Sequence, residues 1–172
     1  MNYRLGKIIL GSILTIFSVI SLFNCGDSGG TVRGSYLSYD YEASISDIQV
    51  TTGVYTVNSD WYSNYAMTDA SMQIQMSLNN HWGRYPDNII ITVSDLRSIV
   101  LGNSYEVGVS GIAAKMVIDQ SPFSPTGTIR FTKLSYYEGK EVCAAFSFYV
   151  ADGAAGFFEG SFCGTINVGY NY

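Results

Sequence analysis

The chain has 172 residues, of which 13% are charged, 47% hydrophobic and 15% aromatic. Fourteen acids outnumber nine cations, which form no cluster, and this argues against nucleic-acid binding and against charge-driven adsorption to anionic lipid. Sparse charge with abundant Tyr, Ser, Thr and Gly suits β-strands with polar outer faces, in a length that fits one domain with a real core.

Met1 to Lys7 carries Arg4 and Lys7 and no acid, and Ile8 to Phe23 is an uncharged run of 16 residues. A cationic start followed by a short apolar run predicts a secretory signal peptide. A membrane-spanning helix needs about 20 residues, and no stop-transfer cations follow the run. The run ends in Leu22-Phe23-Asn24-Cys25, which resembles the lipobox of bacterial lipoproteins. There a diacylglyceryl group is attached to the cysteine thiol and the peptide is cut just before it. Leu22 matches the apolar residue three places upstream, while Phe23 and Asn24 stand where small residues are usual. The resemblance implies lipid on Cys25, loss of residues 1–24 and a location in the bacterial cell envelope, at the outer membrane or cell surface. Residues 25–34, rich in glycine, read as a flexible tether, and 35–172 as the domain. From Cys25 onward seven cations face fourteen acids, a net charge of about −7, so lipid rather than charge would hold the protein at a membrane.

Tyr36 to Ala43 alternates, with Leu37, Tyr39, Tyr41 and Ala43 on one side. Ile45 to Val50 is a weaker strand, and Gly53 separates it from Val54 to Val57. Asn58 to Asn64 reads as a loop with exposed aromatics. Ser71 to Leu78 is a half-buried strand, with Met72, Ile74, Met76 and Leu78 facing one way. After a long polar connection over Asn79 to Asn88, Ile89 to Val93 is apolar on both faces at its start and belongs in the middle of a sheet. Asp95 to Leu101 suits one helical turn. Strands follow at Ser104 to Val109 and Ile112 to Asp119, then a loop over Ser121 to Pro125.

The C-terminal third permits a register. Thr128 to Tyr136 and Glu141 to Val150 flank a Glu138-Gly139 turn, which puts Phe131 opposite Phe146 and Ile129 opposite Phe148. A second hairpin centred on Gly153 aligns Val142, Ala144, Phe146, Phe148 and Val150 with Phe158, Gly160, Phe162, Gly164, Ile166 and Val168. The same centring sets Cys143 opposite Cys163 on the other face. Directly opposed residues of an antiparallel pair come within disulfide range. With Cys25 assigned to lipid, an oxidising compartment would join the remaining two; the alternative is a pair of reduced thiols behaving as small apolar residues.

Gly102-Asn103-Ser104-Tyr105, Gly127-Thr128-Ile129-Arg130-Phe131-Thr132, Ala145-Phe146-Ser147-Phe148 and Glu159-Gly160-Ser161-Phe162 occur in an order similar to that in a family of small bacterial lipoprotein domains of unknown function. The resemblance implies a β-rich domain behind a lipid anchor and transfers no catalytic residue.

His81 is the only histidine, and no Gly-x-Ser-x-Gly elbow is present to supply a nucleophile for a Ser-His-Asp triad. One histidine and two mutually paired cysteines do not make a zinc site, no phosphate-binding glycine loop occurs, and no cofactor is expected. Asp40 and Glu42 share a strand face, a weak glycosidase pattern better read as a solvated surface. Trp61, Tyr62, Tyr65, Trp82 and Tyr85 lie in two loop regions that could meet at one end of a sandwich, where rigid amphipathic rings would suit a glycan or protein partner. The fold expected is all-β, one antiparallel sandwich or partly closed barrel of about eight to ten strands. The function expected is non-enzymatic binding or structural contact in the envelope, without nucleic acid. A lipocalin-like carrier of a small hydrophobic ligand is the alternative, distinguished by an empty interior where a sandwich packs phenylalanines.

Overall fold

A computed structural model describes residues 29–37, 39–53, 71–79, 86–109, 111–151 and 156–168. Ten strands form the protein: β1 (Gly29–Tyr36), β2 (Tyr39–Thr52), β3 (Met72–Leu78), β4 (Pro86–Val93), β5 (Ser104–Glu106), β6 (Ile112–Ile118), β7 (Ser121–Phe123), β8 (Thr126–Lys133), β9 (Glu141–Val150) and β10 (Gly156–Val168). Their order across the sheet is β5-β8-β9-β10-β1-β2-β3-β4-β6-β7. Neighbours run antiparallel, apart from a short parallel contact of Ile166 and Val168 in β10 with Val50 and Thr51 in β2. The terminal strands β5 and β7 are not joined to each other, so the sheet does not close into a barrel. It folds over as a sandwich-like pair of layers.

The fold-over is written into β2. Tyr41, Ala43 and Ile45 are buried, and after a register shift between Ile45 and Asp47 the buried residues become Ile48, Val50 and Thr52. One extra residue in a strand bends it and moves the inward face from odd to even positions. The first half of β2 pairs with β1 and the second half with β3, so this strand serves both layers. Two hydrogen bonds fasten its far end: the Val50 N–H donates to Asn167 Oδ1 (3.0 Å), and the Thr52 hydroxyl donates to the Tyr136 carbonyl (2.8 Å). Both layers feed one core cluster in which Phe131, Phe148, Phe158, Phe162, Met72, Ile74, Met76, Ile89 and Ile91 are fully buried. Phe146 stacks on Phe148 at 4.6 Å. Gly160, opposite Phe146, leaves room for that ring: a Cβ there would lie 2.7 Å from Phe146 Cζ. An open sheet with phenylalanines in its interior does not match the lipocalin-like carrier.

Alternation is recovered well where the strands are regular. Met72, Ile74, Met76 and Leu78 are all buried, and β4 lies between β3 and β6 with Ile89, Ile90 and Ile91 buried. The β9–β10 hairpin has the expected register, with Phe148 opposite Phe158 and Cys143 opposite Cys163.

Five expectations need correction. The proposed tether, 25–34, overlaps β1, so Gly29 to Gly34 belong to the sheet and not to a tether ahead of residue 35. Two of its glycines serve close approach: a Cβ on Gly30 would collide with the Ser161 carbonyl oxygen, and one on Gly34 with that of Phe157. Tyr36–Ala43 and Ile45–Val50 are not separate strands but lie largely within one 14-residue strand, the bulge hiding its continuity. Leu37 turns the β1–β2 hairpin at φ 51° and, like Tyr39, is exposed instead of inward. The loop at Ser121 to Pro125 contains the edge strand β7, where Pro122 is tolerated because an edge needs fewer ladder donors. In the β8–β9 pair, Phe131 faces Ala144 and Ile129 faces Phe146, two residues from the expected register. The turn is where it was expected, with the Lys140 N–H donating to the Tyr137 carbonyl (3.2 Å) and Gly139 at φ 76°. A bulge between Phe131 and Lys133, and the departure of residues 134–136 from the ladder, take up the difference. A shift of two preserves the face of every side chain.

Gly34→Ala should therefore destabilise the domain by about 1–3 kcal/mol through overpacking. Gly29→Ala, with nothing within 4 Å of its Cβ, should be neutral or slightly stabilising by about 0.5 kcal/mol. Urea unfolding of both variants checks the contrast; equal effects would mean that β1 is not packed as described.

Candidate binding face

Cys143 and Cys163 form a disulfide with a Cα–Cα distance of 4.2 Å. That spacing is typical of a non-hydrogen-bonded antiparallel pair, where side chains lie closest. Both residues are buried, although they lie on the face of β9 and β10 away from the phenylalanine core. The bridge ties strands that the Gly153-centred register already sets side by side.

The ladder arranges the same outer face in rows. Tyr149, Phe157, Ser35 and Asp40 are successive partners across β9, β10, β1 and β2. The next row contains Thr128, Ser147, Glu159, Arg33 and Glu42. The third contains Arg130, Ala145, Ser161, Thr31 and Ser44, and the disulfide follows, level with Gly29. Tyr149 and Phe157 rings meet at 4.9 Å, with Tyr149 53% exposed. Arg33 Nε donates to Glu159 Oε1 at 2.6 Å, and Lys133 Nζ to Glu141 Oε2 at 2.8 Å near the disulfide. Ser147, Ala145 and Ser161 put small side chains in the middle of this face on β9 and β10, a tilted ring pair stands at one end, and the Arg33–Glu159 ion pair lies between the rings and the disulfide.

Asp40 and Glu42 are exposed on this open face, with Arg33 opposite Glu42. Asp95 has a different use: it caps the 3₁₀ turn Leu96–Ser98, accepting hydrogen bonds from the Arg97 backbone and side chain. Those bonds, the side-chain one foremost, hold its carboxyl below the usual range. It is an exposed structural cap. Among the described residues no group of three or more His, Cys, Asp or Glu side chains could hold a metal ion, and no helix is long and apolar enough to cross a membrane.

Cys25, His81 and the aromatics Trp61, Tyr62, Tyr65, Trp82 and Tyr85 lie outside the described residues. The roots of the two aromatic-bearing connections are described. Residues 54–70 leave and return where Gly53 donates to the Ser71 carbonyl, beside Thr52 and Met72. Residues 80–85 join the opposite end of β3, where the Asn79 N–H donates to the Ser44 carbonyl. The two roots are separated by the length of β3, roughly 20 Å for seven residues. The strands thus supply no common base for these loops. The Tyr149–Phe157 pair was not singled out from sequence, yet the centring on Gly153 that aligns the cysteines also aligns these two rings.

No protein-family model, curated protein or solved structure matches the chain.

Replacing both Cys143 and Cys163 with Ala should lower the unfolding free energy by about 2–4 kcal/mol, the range for a cross-link closing a loop of this order. Denaturant titration measures the loss. Peptide mapping without reductant should recover the two cysteines in one linked species, and free thiols at both positions would contradict the bridge.

Proposed function

We propose that the protein is a lipid-anchored component of the bacterial cell envelope that acts by binding or structural contact and not by catalysis. The observation that carries this reading is the N-terminal sequence itself: Arg4 and Lys7, then an uncharged run from Ile8, then Leu22 three places before Cys25. The Cys143–Cys163 disulfide supports it, because such bonds persist in oxidising compartments outside the cytosol. It also leaves Cys25 as the one cysteine not consumed by the domain. The β-rich domain starting at Gly29 agrees with what the lipoprotein-domain resemblance implies. The anchor places the protein on a membrane, with the outer membrane or cell surface as its proposed site. The partner is another envelope component, a protein or a glycan.

Full-length protein expressed in bacteria with an alkyne-bearing palmitate should become labelled and should enter the detergent phase on Triton X-114 separation. Cys25→Ala should abolish both. Continued labelling and partitioning of that variant would remove the basis for the anchor.

A further inference from the structure

We propose that the outer face of β9, β10, β1 and β2, from Tyr149 and Phe157 across Ser35 to the Arg33–Glu159 pair, is a binding surface for an uncharged polysaccharide. Tyr149 and Phe157 offer an aromatic platform of two tilted rings at one end of the face, and Tyr149 contributes nothing to the core cluster. Beside the platform, Ser35, Ser147, Thr128 and Thr31 offer hydroxyls, and Arg33 and Glu159 offer a planar donor fork and an acceptor. A pyranose has apolar C–H faces and a rim of hydroxyls. It matches a surface that sets a ring pair beside short polar side chains, using rigid aromatic area at small entropic cost.

Charge and shape select this occupant over others. The three rows carry Asp40, Glu42 and Glu159 against Arg33 and Arg130, and Arg33 is bonded to Glu159, so the face presents no basic track for phosphates or anionic headgroups. The described residues between the platform and the disulfide are small or charged (Ser147, Ala145, Ser161, Glu159, Arg33, Arg130), so they offer no large apolar side chain to anchor a protein hot spot. Orientation, which rests on the lipid-anchored reading, agrees. Cys25 is four Cα steps from Gly29, at most about 14 Å of chain. Gly29 is level with the disulfide, while the Tyr149–Phe157 row lies beside Ser35, about 20 Å further along β1. A leash this short holds the disulfide end near the lipid and turns the ring platform away from it.

The test uses full-length protein in detergent, sedimented with insoluble cellulose, chitin, mannan and β-1,3-glucan, and floated separately with phosphatidylglycerol-containing vesicles from which detergent has been removed. At least one polysaccharide should pellet the protein. Tyr149→Ala and Phe157→Ala should weaken that binding about tenfold, Tyr149→Phe should keep it within about threefold, and Arg33→Ala should weaken it without changing thermal stability by more than a few degrees. Failure to bind any of the four polysaccharides would overturn the proposal, as would binding that Tyr149→Ala leaves unchanged. Binding of Cys25→Ala to vesicles through the same residues in place of a polysaccharide would also overturn it. In detergent Cys25→Ala should bind the polysaccharide like the parent protein, so loss of the anchor and loss of the binding surface are read separately.

Discussion

Strand β1 is held along both edges, by β10 from Gly29 to Tyr36 and by β2 from Thr31 to Tyr36, and the first layer depends on this insertion. Without β1, β10 and β2 would meet only through the short contact at Ile166 and Val168. The insertion constrains sequence in an unusual way. Val32 is its one fully buried large side chain, whereas Gly30 and Gly34 bring the backbone against carbonyl oxygens of β10. Glycine ordinarily weakens a strand through entropy and lost packing. Here the ladder on both sides and the close approach offset that cost.

Much of the fold was legible because alternation is a physical record of half-burial. In β3 the four inward residues could be named outright, and in the β9–β10 hairpin two independent patterns, apolar faces and a cysteine pair, agreed on one register. What escaped did so for identifiable reasons. Gly29 to Gly34 has too little apolar mass to signal burial, so its composition reads as linker. The Ser46 bulge inverts parity in mid-strand and made β2 look like two elements. In β8 the Thr132 bulge and the departure before the turn move the partners while leaving the faces unchanged, so Ile129 and Phe131 share the face expected for them but meet Phe146 and Ala144 instead of Phe148 and Phe146. Periodicity reports faces well and partners poorly.

The candidate surface shows the same division. Trp61, Tyr62, Tyr65, Trp82 and Tyr85 stand out in the sequence because they are aromatics in polar stretches. Tyr149 and Phe157 were hidden inside strands whose inward neighbours already explained their aromatic content. Only pairing reveals that the two rings meet on the outer face, in line with Ser35 and Asp40. Such cross-strand neighbours are far apart in sequence, and a linear reading finds them only when it commits to a register.

The topology also bears on how an anchored chain would reach its folded state. Arg33 and Glu159 are 126 residues apart, and β1 is paired over its whole length with the last strand described. The first strand therefore cannot complete its ladder until nearly all of the chain is available, a high-contact-order closure that is intrinsically slow. On the proposed export route this delay would be useful, since a chain must stay unfolded to cross a membrane and the proposed signal peptide lies ahead of β1. Lipid attached at Cys25 would then join the membrane to a strand bonded on both sides. Under that proposal a load on the anchor would act along β1, against two ladders in shear, instead of peeling an edge one bond at a time. Because β1 runs from Gly29, four Cα steps from Cys25, that load would pass into the centre of the first layer.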